Sequence, residues 1–155
     1  MMGHFATGVT VITTMDRSGS PFGLTANAFT SLSLDPPLVL ICIDKGVQCY
    51  PYFEESGLFA VNLLSENQEE LSRRFATKGI EKFSGIQWRK GKQGVALLDG
   101  AMGHIECRIA NRYDGGDHTI YVGEVVHTSA SGGRPLIFFK GKYRRLPDGN
   151  PGRSG

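Results

Sequence analysis

One stretch of the sequence constrains the fold more than any other: residues 22 to 45, FGLTANAFTSLSLDPPLVLICIDK. Its second half places an unbroken apolar run, Leu38 to Ile43, directly after Pro36 and Pro37. A short run of this kind is typical of a strand that is buried on both faces. Its first half is small and polar, so few bulky side chains cover the backbone there. The stretch therefore predicts a core strand that carries a polar loop, where a ligand can approach the backbone closely.

Further strands are indicated by alternating apolar and polar residues and by short apolar runs between turns. The predicted strands cover residues 6–14, 38–43, 58–64, 104–113, 118–127 and 135–143. The turn DGGD, residues 114–117, joins two of them as an antiparallel hairpin. Residues 84–95 are rich in glycine and lysine and are interpreted as an exposed loop or a ragged hairpin with Trp88 partly buried. Many short strands with glycine-rich turns predict a closed antiparallel barrel.

Two helices are expected between these strands. Pro51 and Gly57 bound a short one, because proline is favoured in the first turn of a helix and glycine just beyond its end. Ser65 and Gln68 have the spacing of a capping box, in which each side chain satisfies a backbone N–H group that the first turn leaves bare. This capping box predicts a longer helix over residues 66–78.

Length and charge limit what kind of protein this is. The chain has 155 residues, enough for one domain with a proper core, so we expect a single domain over residues 1–146 and a disordered tail over residues 147–155. Seventeen lysines and arginines against fifteen aspartates and glutamates leave a formal charge of +2, too small to indicate nucleic acid as a partner. No apolar run reaches the length of a membrane span, and no signal-peptide pattern is present, so no membrane partner is expected.

Several kinds of site are not expected. The cysteines at positions 42, 49 and 107 form an odd set without metal-ligand spacing, which predicts reduced core thiols in a cytoplasmic protein. Cys49 has no adjacent base that would indicate a nucleophile. GVTVIT and GGDH lack the three-glycine spacing of a Rossmann-type dinucleotide site. No cluster of histidines and carboxylates indicates a metal site.

Four separated blocks of the sequence resemble the flavin reductase family whose members partner two-component flavin monooxygenases. The blocks are GHFATGVTVIT, GLTANAFTSLSLDPPLVLICID, GDHTIYVGEV and PLIFFKGKY, and the likeness extends from Gly3 to Leu146. The resemblance implies a mainly β fold, an FMN-binding antiparallel split barrel of Greek-key type with one or two short flanking helices. It also implies an NAD(P)H:flavin oxidoreductase that transfers hydride from NADH or NADPH to FMN or FAD and releases reduced flavin to a separate monooxygenase.

Two further expectations follow from the family. A small barrel has too little concave wall to surround a flavin, and family members close the site with a partner subunit, so a homodimer is expected. Members usually have a short helix before the GHFATG block, which lies at residues 3–8 here. We therefore expect this chain to begin late, and a longer chain to bind flavin more tightly.

The resemblance also assigns functional residues. TANAFTSLS would hold the flavin ring, whose carbonyl oxygens need donors and whose reactive nitrogen needs a polar neighbour. The positions assigned to flavin are Thr25, Ala26, Asn27, Ser31, Leu32, Ser33, Cys42, Asp44, Lys45, Gln48, Phe75, Lys78, Lys82, Gly116, Asp117 and Tyr143. His118 is assigned to the nicotinamide side, where an imidazole can stack on or hydrogen-bond the carboxamide, and is the one predicted catalytic residue. Without the family, a lone histidine at a turn would more often be a surface residue.

The chain departs from the family pattern directly after the buried strand. Members usually continue with a basic or polar residue and a run of serine or threonine, which suits a flavin phosphate. Here the run is DKGVQCY, residues 44–50, so Lys45 is present and the hydroxyls are absent. Phosphate binding and the choice between FMN and FAD therefore stay open. Phe75, Lys78 and Lys82 can close over the phosphate side, although Phe75 suits the core equally well.

Two other classes of protein bind flavin on the same fold. An FMN-dependent oxidase would hold its flavin tightly and carry a basic pocket for an anionic substrate, and the sequence has no arginine cluster placed for one. A non-catalytic flavin carrier would bind flavin alone. Neither would oxidise a nicotinamide, so an absorbance assay separates both from a reductase.

Overall fold

Strands are the main secondary structure of the computed structural model, which describes residues 1–149. The strands are β1 (Thr7–Gly8), β2 (Thr10–Met15), β3 (Pro21–Ala26), β4 (Phe29–Leu34), β5 (Pro37–Asp44), β6 (Leu58–Leu63), β7 (Trp88–Lys90), β8 (Ala96–Leu98), β9 (Gly103–Gly115), β10 (His118–Ala130), β11 (Ile137–Phe139) and β12 (Lys142–Arg144). The helices are α1 (Tyr50–Ser56) and α2 (Glu69–Ala76), with a 3-10 turn at Met2–His4. The mainly β fold with two short helices agrees with the prediction.

One large sheet builds the barrel. Its strand order is β3-β2-β6-β9-β10-β5-β4, and every neighbouring pair is antiparallel. β3 and β4 lie at opposite edges of the sheet, yet only Asn27 and Ala28 connect them. Because this connection reaches about 11 Å at most, the sheet has to curl until its two edges meet there. Within residues 1–149 no hydrogen-bonded ladder joins β3 to β4, so the barrel has the split form that the family resemblance implied rather than the closed form.

Apolar side chains that alternate inward along the strands fill the barrel. On β5, Val39, Ile41 and Ile43 are buried, whereas Leu40 and Cys42 point outward and are half-buried. The prediction that this strand is buried on both faces is therefore wrong, because the helices pack against β2 and β3 instead. The other fully buried residues of this core include Ile12, Phe53, Phe59, Val61, Cys107 and Tyr121.

The segment TANAFTSLS is mostly strand, which corrects the prediction of a polar loop. β3 continues through Ala26, which lies opposite Thr10, and β4 begins at Phe29, which lies opposite Ile41. Only Asn27 and Ala28 lie outside the two strands. Alanine has weak strand propensity, and pairing of Ala26 with Thr10 of β2 overrides it here.

The helices follow the sequence signals unequally. α1 has Pro51 in its first turn and ends at Gly57, whose φ is 65°, as predicted. α2 spans Glu69–Ala76 and is shorter than the predicted 66–78, because Ser65 stays extended and pairs with Pro135. Half of the capping box forms, since the Ser65 N–H donates to the Gln68 side chain at 3.0 Å, whereas the serine hydroxyl makes no capping bond.

The hairpin of β7 and β8 packs against β2 and β6 and confirms the hairpin alternative for this segment, with Trp88 half-buried as predicted. Glu106 of β9 is only 1% exposed, and its carboxylate accepts hydrogen bonds from the N–H groups of Lys92 and Gln93 at 3.1 and 2.7 Å. The turn needs glycine at position 91, because a Cβ on Gly91 would lie 2.6 Å from the Glu106 carboxylate. A buried carboxylate thus ties the hairpin to the barrel.

Most of the predicted disordered tail, from residue 150 onward, lies outside the described residues. Cys49 and Cys107 are buried free thiols, and burial raises their pKa values to about 11 and about 12. None of the helices formed by residues 1–149 is long and apolar enough to cross a membrane.

Candidate functional site

The corner where the two sheet edges meet is the centre of the candidate site. Asn27 and Ala28 are exposed there, and the Cys42 N–H donates to the Ala28 carbonyl at 3.2 Å. Phe29 N–H donates to the Asn27 carbonyl at 3.0 Å. Within residues 1–149 the N–H groups of Asn27 and Ala28, and the Asn27 side chain, make no hydrogen bond to protein. The corner therefore presents free donors on a backbone with almost no side-chain cover.

A cavity of about 210 Å³ lies against one side of this corner. Its walls come from β3, α2 and the final strands, and they are formed by Val9, Thr25, Ala26, Asn27, Ala76, Phe138 and Tyr143. Ser72 of α2 holds two of these residues in place. Its carbonyl accepts a hydrogen bond from the Thr25 hydroxyl at 2.5 Å, and its hydroxyl lies 2.7 Å from the Tyr143 hydroxyl. Four predicted flavin positions, at 25, 26, 27 and 143, thus meet at one cavity.

The predicted positions Ser31, Leu32 and Ser33 lie on β4, on the other side of the corner. Ser31 lies opposite Val39 and Ser33 opposite Leu38, with a bulge at Leu32 between the two pairs. Within residues 1–149 neither serine hydroxyl has a hydrogen-bond partner, and Ser31 is exposed. The bulge leaves Leu32 half-exposed, at 50%. This edge strand therefore offers two hydroxyls and one apolar side chain close to the corner.

A second group forms where β5 ends against the β9–β10 hairpin. His118 pairs with Asp44 and Ile120 with Cys42, so these four side chains share the outer face of the barrel. Burial raises the pKa of the Cys42 thiol, which keeps it protonated near neutral pH. Because Cys42 also bonds to Ala28, the group lies on the same end of the barrel as the corner. Register alone thus joins the GDH motif to the TANAFTSLS segment.

Hydrogen bonds fix the tip of the β9–β10 hairpin. The Lys45 ammonium pairs with Asp114 and donates to the Gly116 carbonyl at 2.6 Å, while the Lys45 N–H donates to the Asp117 carbonyl at 2.9 Å. His118 Nδ1 lies 2.7 Å from the Asp117 carboxylate, and this contact holds the pKa of Asp117 below its usual range. Within residues 1–149 the other ring nitrogen, Nε2, has no protein partner. The contact at Nδ1 therefore orients the imidazole, and Nε2 can hydrogen-bond to a ligand.

The remaining predicted positions lie elsewhere. Phe75 is fully buried and packs edge-on against Phe83, 5.1 Å between ring centres, so its place is that of a core residue. Lys78 is exposed and lines neither the cavity of about 210 Å³ beside the corner nor the larger cavity that Gln48 and Lys82 line. Gln48 and Lys82 line a separate cavity of about 430 Å³. The predicted phosphate side is thus not brought together with the corner as a single pocket.

Sequence reasoning missed Ala28 and Ser72. Ala28 contributes backbone groups alone, and its methyl side chain gives no signal for that role. Ser72 did carry a signal, since it lies three residues before Phe75 and so shares the buried face of α2. A small polar residue on a buried helix face usually has a hydrogen-bonding partner.

Comparison with known proteins finds a family match over nearly the whole chain. The family model for the flavin reductase like domain matches residues 2–147. The reductase subunit HsaB of a flavin-dependent monooxygenase from Rhodococcus jostii is 42% identical over 150 residues, which cover 96% of this chain and 76% of that protein. The FMN reductase (NADH) SmoA from Agrobacterium fabrum is 43% identical over 145 residues, covering 94% of this chain and 82% of that protein.

A solved structure agrees as well. The Streptomyces globisporus NADH:FAD oxidoreductase SgcE6, in complex with NAD and FAD fragments, superposes with a TM-score of 0.90 at 41% identity, over 96% of this chain and 91% of that one. The family suggested by four sequence blocks is therefore confirmed by sequence and by fold. This chain belongs to the flavin reductase like domain family.

Proposed function

We propose that this chain oxidises NADH or NADPH, transfers the hydride to FMN or FAD, and supplies the reduced flavin to a separate monooxygenase. The observation that carries the proposal is the corner at Asn27 and Ala28, whose free donors lie beside the outer face that carries Cys42, Asp44 and His118. This enzyme class is the one named for the relatives, among them a reductase subunit of a monooxygenase and an FMN reductase that uses NADH.

The residues present fit a flavin. Its ring carbonyls need hydrogen-bond donors, and the N–H groups of Asn27 and Ala28 and the hydroxyls of Ser31 and Ser33 are free to donate. Lys45 is a cation near the outer face, but its ammonium is already paired with Asp114, so a phosphate would compete with that carboxylate. When bound, the flavin supplies the atom that accepts hydride.

The protein's own task in this reaction is positioning. Hydride transfer between two rings needs no strong acid or base, so the side chains hold the rings face to face and exclude water between them. Asp117 fixes the His118 imidazole through Nδ1, which leaves Nε2 to bind the carboxamide of a nicotinamide. His118 therefore orients the hydride donor while the corner holds the acceptor.

Steady-state oxidation of NADH and NADPH, each with FMN and with FAD, tests this function. We expect loss of nicotinamide absorbance that depends on added flavin, with measurable preferences in both pairs. A protein that binds flavin tightly and leaves both nicotinamides unoxidised would be an oxidase or a carrier instead.

We also propose that the working form is a homodimer. Apolar side chains stay in solvent on the outer face of β5, β9 and β10, where Tyr113 is 56% exposed and Leu40 and Ile120 are half-buried. A second copy would cover this surface and add wall to an open site. Sedimentation velocity should give the mass of a dimer, and a stable monomer with full flavin reductase activity would contradict the proposal.

A further inference from the structure

Ser72 of α2 is fully buried, yet it bonds to two residues that line the cavity of about 210 Å³. Its carbonyl bonds to the hydroxyl of Thr25 on β3, and its hydroxyl bonds to the hydroxyl of Tyr143 on β12. Ser72 itself does not line the cavity. It can therefore act on a ligand there only through Thr25 and Tyr143.

The bond to Thr25 fixes what that residue offers to the cavity. A carbonyl oxygen only accepts hydrogen bonds, so the Thr25 hydroxyl donates its single proton to Ser72. The lone pairs of the Thr25 oxygen are what remains. Thr25 therefore faces a ligand as a hydrogen-bond acceptor.

The direction of the bond to Tyr143 follows from the burial of Ser72. The Ser72 N–H already donates to the Gln68 carbonyl at 3.0 Å, and within residues 1–149 the Ser72 hydroxyl has no partner besides the Tyr143 oxygen. If Tyr143 donated this bond, the serine proton would be buried without an acceptor, which is unfavourable. Ser72 is therefore the donor, and Tyr143 keeps its own proton for a ligand.

The ring of Tyr143 is held by two further contacts. The Arg73 guanidinium lies over the ring face, 4.8 Å from its centre, and Phe138 packs edge-on with 5.4 Å between ring centres. These contacts leave rotation of the phenol O–H as the main freedom of the side chain. The bond from Ser72 removes that freedom as well.

We propose that Ser72 is a positioning residue of the flavin site, which sets Tyr143 as a donor and Thr25 as an acceptor toward the cavity. An acceptor beside a donor matches a ring edge on which an N–H group adjoins a carbonyl, and a flavin carries such an edge at N3. Asn27, with its free N–H group, lines the same cavity. This inference rests on the proposed function, because the ligand is the flavin of that site. It adds a buried residue that touches no substrate.

A double-mutant cycle on FMN binding tests whether Ser72 acts through Tyr143. We expect Ser72→Ala and Tyr143→Phe each to raise the Kd for FMN about fivefold, the effect of one hydrogen bond. The double variant should bind FMN no more weakly than Tyr143→Phe alone, because the serine then has no phenol to orient. The nicotinamide KM at saturating FMN should stay constant in Ser72→Ala.

Thr14→Val is the matched control for loss of a buried hydroxyl. Thr14 is fully buried, its hydroxyl donates to the Leu58 carbonyl at 2.9 Å, and it does not line the cavity of about 210 Å³. Thr14→Val should lower Tm about as much as Ser72→Ala does and leave the Kd for FMN unchanged. A Kd that follows Tm in both variants would make Ser72 a purely structural residue and overturn the proposal.

FMN methylated at N3 tests the assigned polarity directly. The methyl group removes the donor that Thr25 is set to accept, so the wild type should bind this analogue about tenfold more weakly than FMN. Equal binding of the two flavins, an unchanged Kd for FMN in Ser72→Ala, or single effects that multiply in the double variant would each overturn the proposal. Failure of the proposed function looks different, because the wild type would then oxidise neither NADH nor NADPH, whatever the binding cycle shows.

Discussion

Gly123→Ala is expected to lower the free energy of unfolding by about 2 kcal/mol, although it adds a single methyl group. Gly123 lies in β10 near the middle of the sheet, and a Cβ there would lie 2.4 Å from the Phe59 ring and 2.9 Å from the Cys107 Cβ. Both neighbours are fully buried, so neither can move aside without disturbing the core. Since a domain of this size has about 5–15 kcal/mol of stability, this loss is a large part of it.

Thermal and denaturant unfolding measure the effect. A loss of about 2 kcal/mol corresponds to a fall in Tm of about 4–8 °C for a chain of this length. Gly8→Ala is the matched control, because Gly8 also lies in a strand and a Cβ there would meet nothing within 4 Å. An unchanged Tm for Gly123→Ala would mean that the core around Phe59 is loosely packed.

His118→Ala is expected to lower kcat/KM for the nicotinamide about five- to thirtyfold while the Kd for flavin stays nearly constant. The change removes one stacking or hydrogen-bonding interaction, about 1–2 kcal/mol in the transition state. Steady-state kinetics and flavin titration measure the two effects separately. His127→Ala is the control, because His127 is a half-buried histidine farther along the same strand.

The corner should respond in the opposite way. Asn27→Ala removes the free side-chain amide of the corner, and Ser33→Ala removes a free hydroxyl from β4. Either change should raise the Kd for flavin while the nicotinamide KM changes little. If His118→Ala matches the wild type with both substrates, the GDH motif serves only as a tight hairpin turn. The nicotinamide would then have to bind elsewhere on the barrel.

The sequence predicted the secondary-structure elements that neighbouring residues alone determine. The β9–β10 hairpin follows from alternation on both sides of DGGD, and α1 follows from Pro51 and Gly57. The start of α2 and the strands within TANAFTSLS were missed, because pairing with distant segments decides them. Propensity cannot report a partner that lies far along the chain.

The candidate site, like the fold, could be predicted only in part from the sequence. No spacing rule brings Asn27 next to Tyr143, since the curl of the whole sheet and the packing of α2 place them at one cavity. The candidate site positions were assigned through the family resemblance of the four sequence blocks. The division of those positions into a corner, an outer face and a separate cavity required the register of the strands.

The two-residue connection between β3 and β4 has a consequence for folding. Residues before Asn27 pair with β2 and residues after Ala28 pair with β5, so the corner takes its shape only once all seven strands of the sheet are assembled. Contacts that close such a circuit are costly in chain entropy and form late. A ligand held at the corner binds the assembled barrel and not its open precursors. Its binding free energy is therefore added to the stability of the whole molecule by mass action.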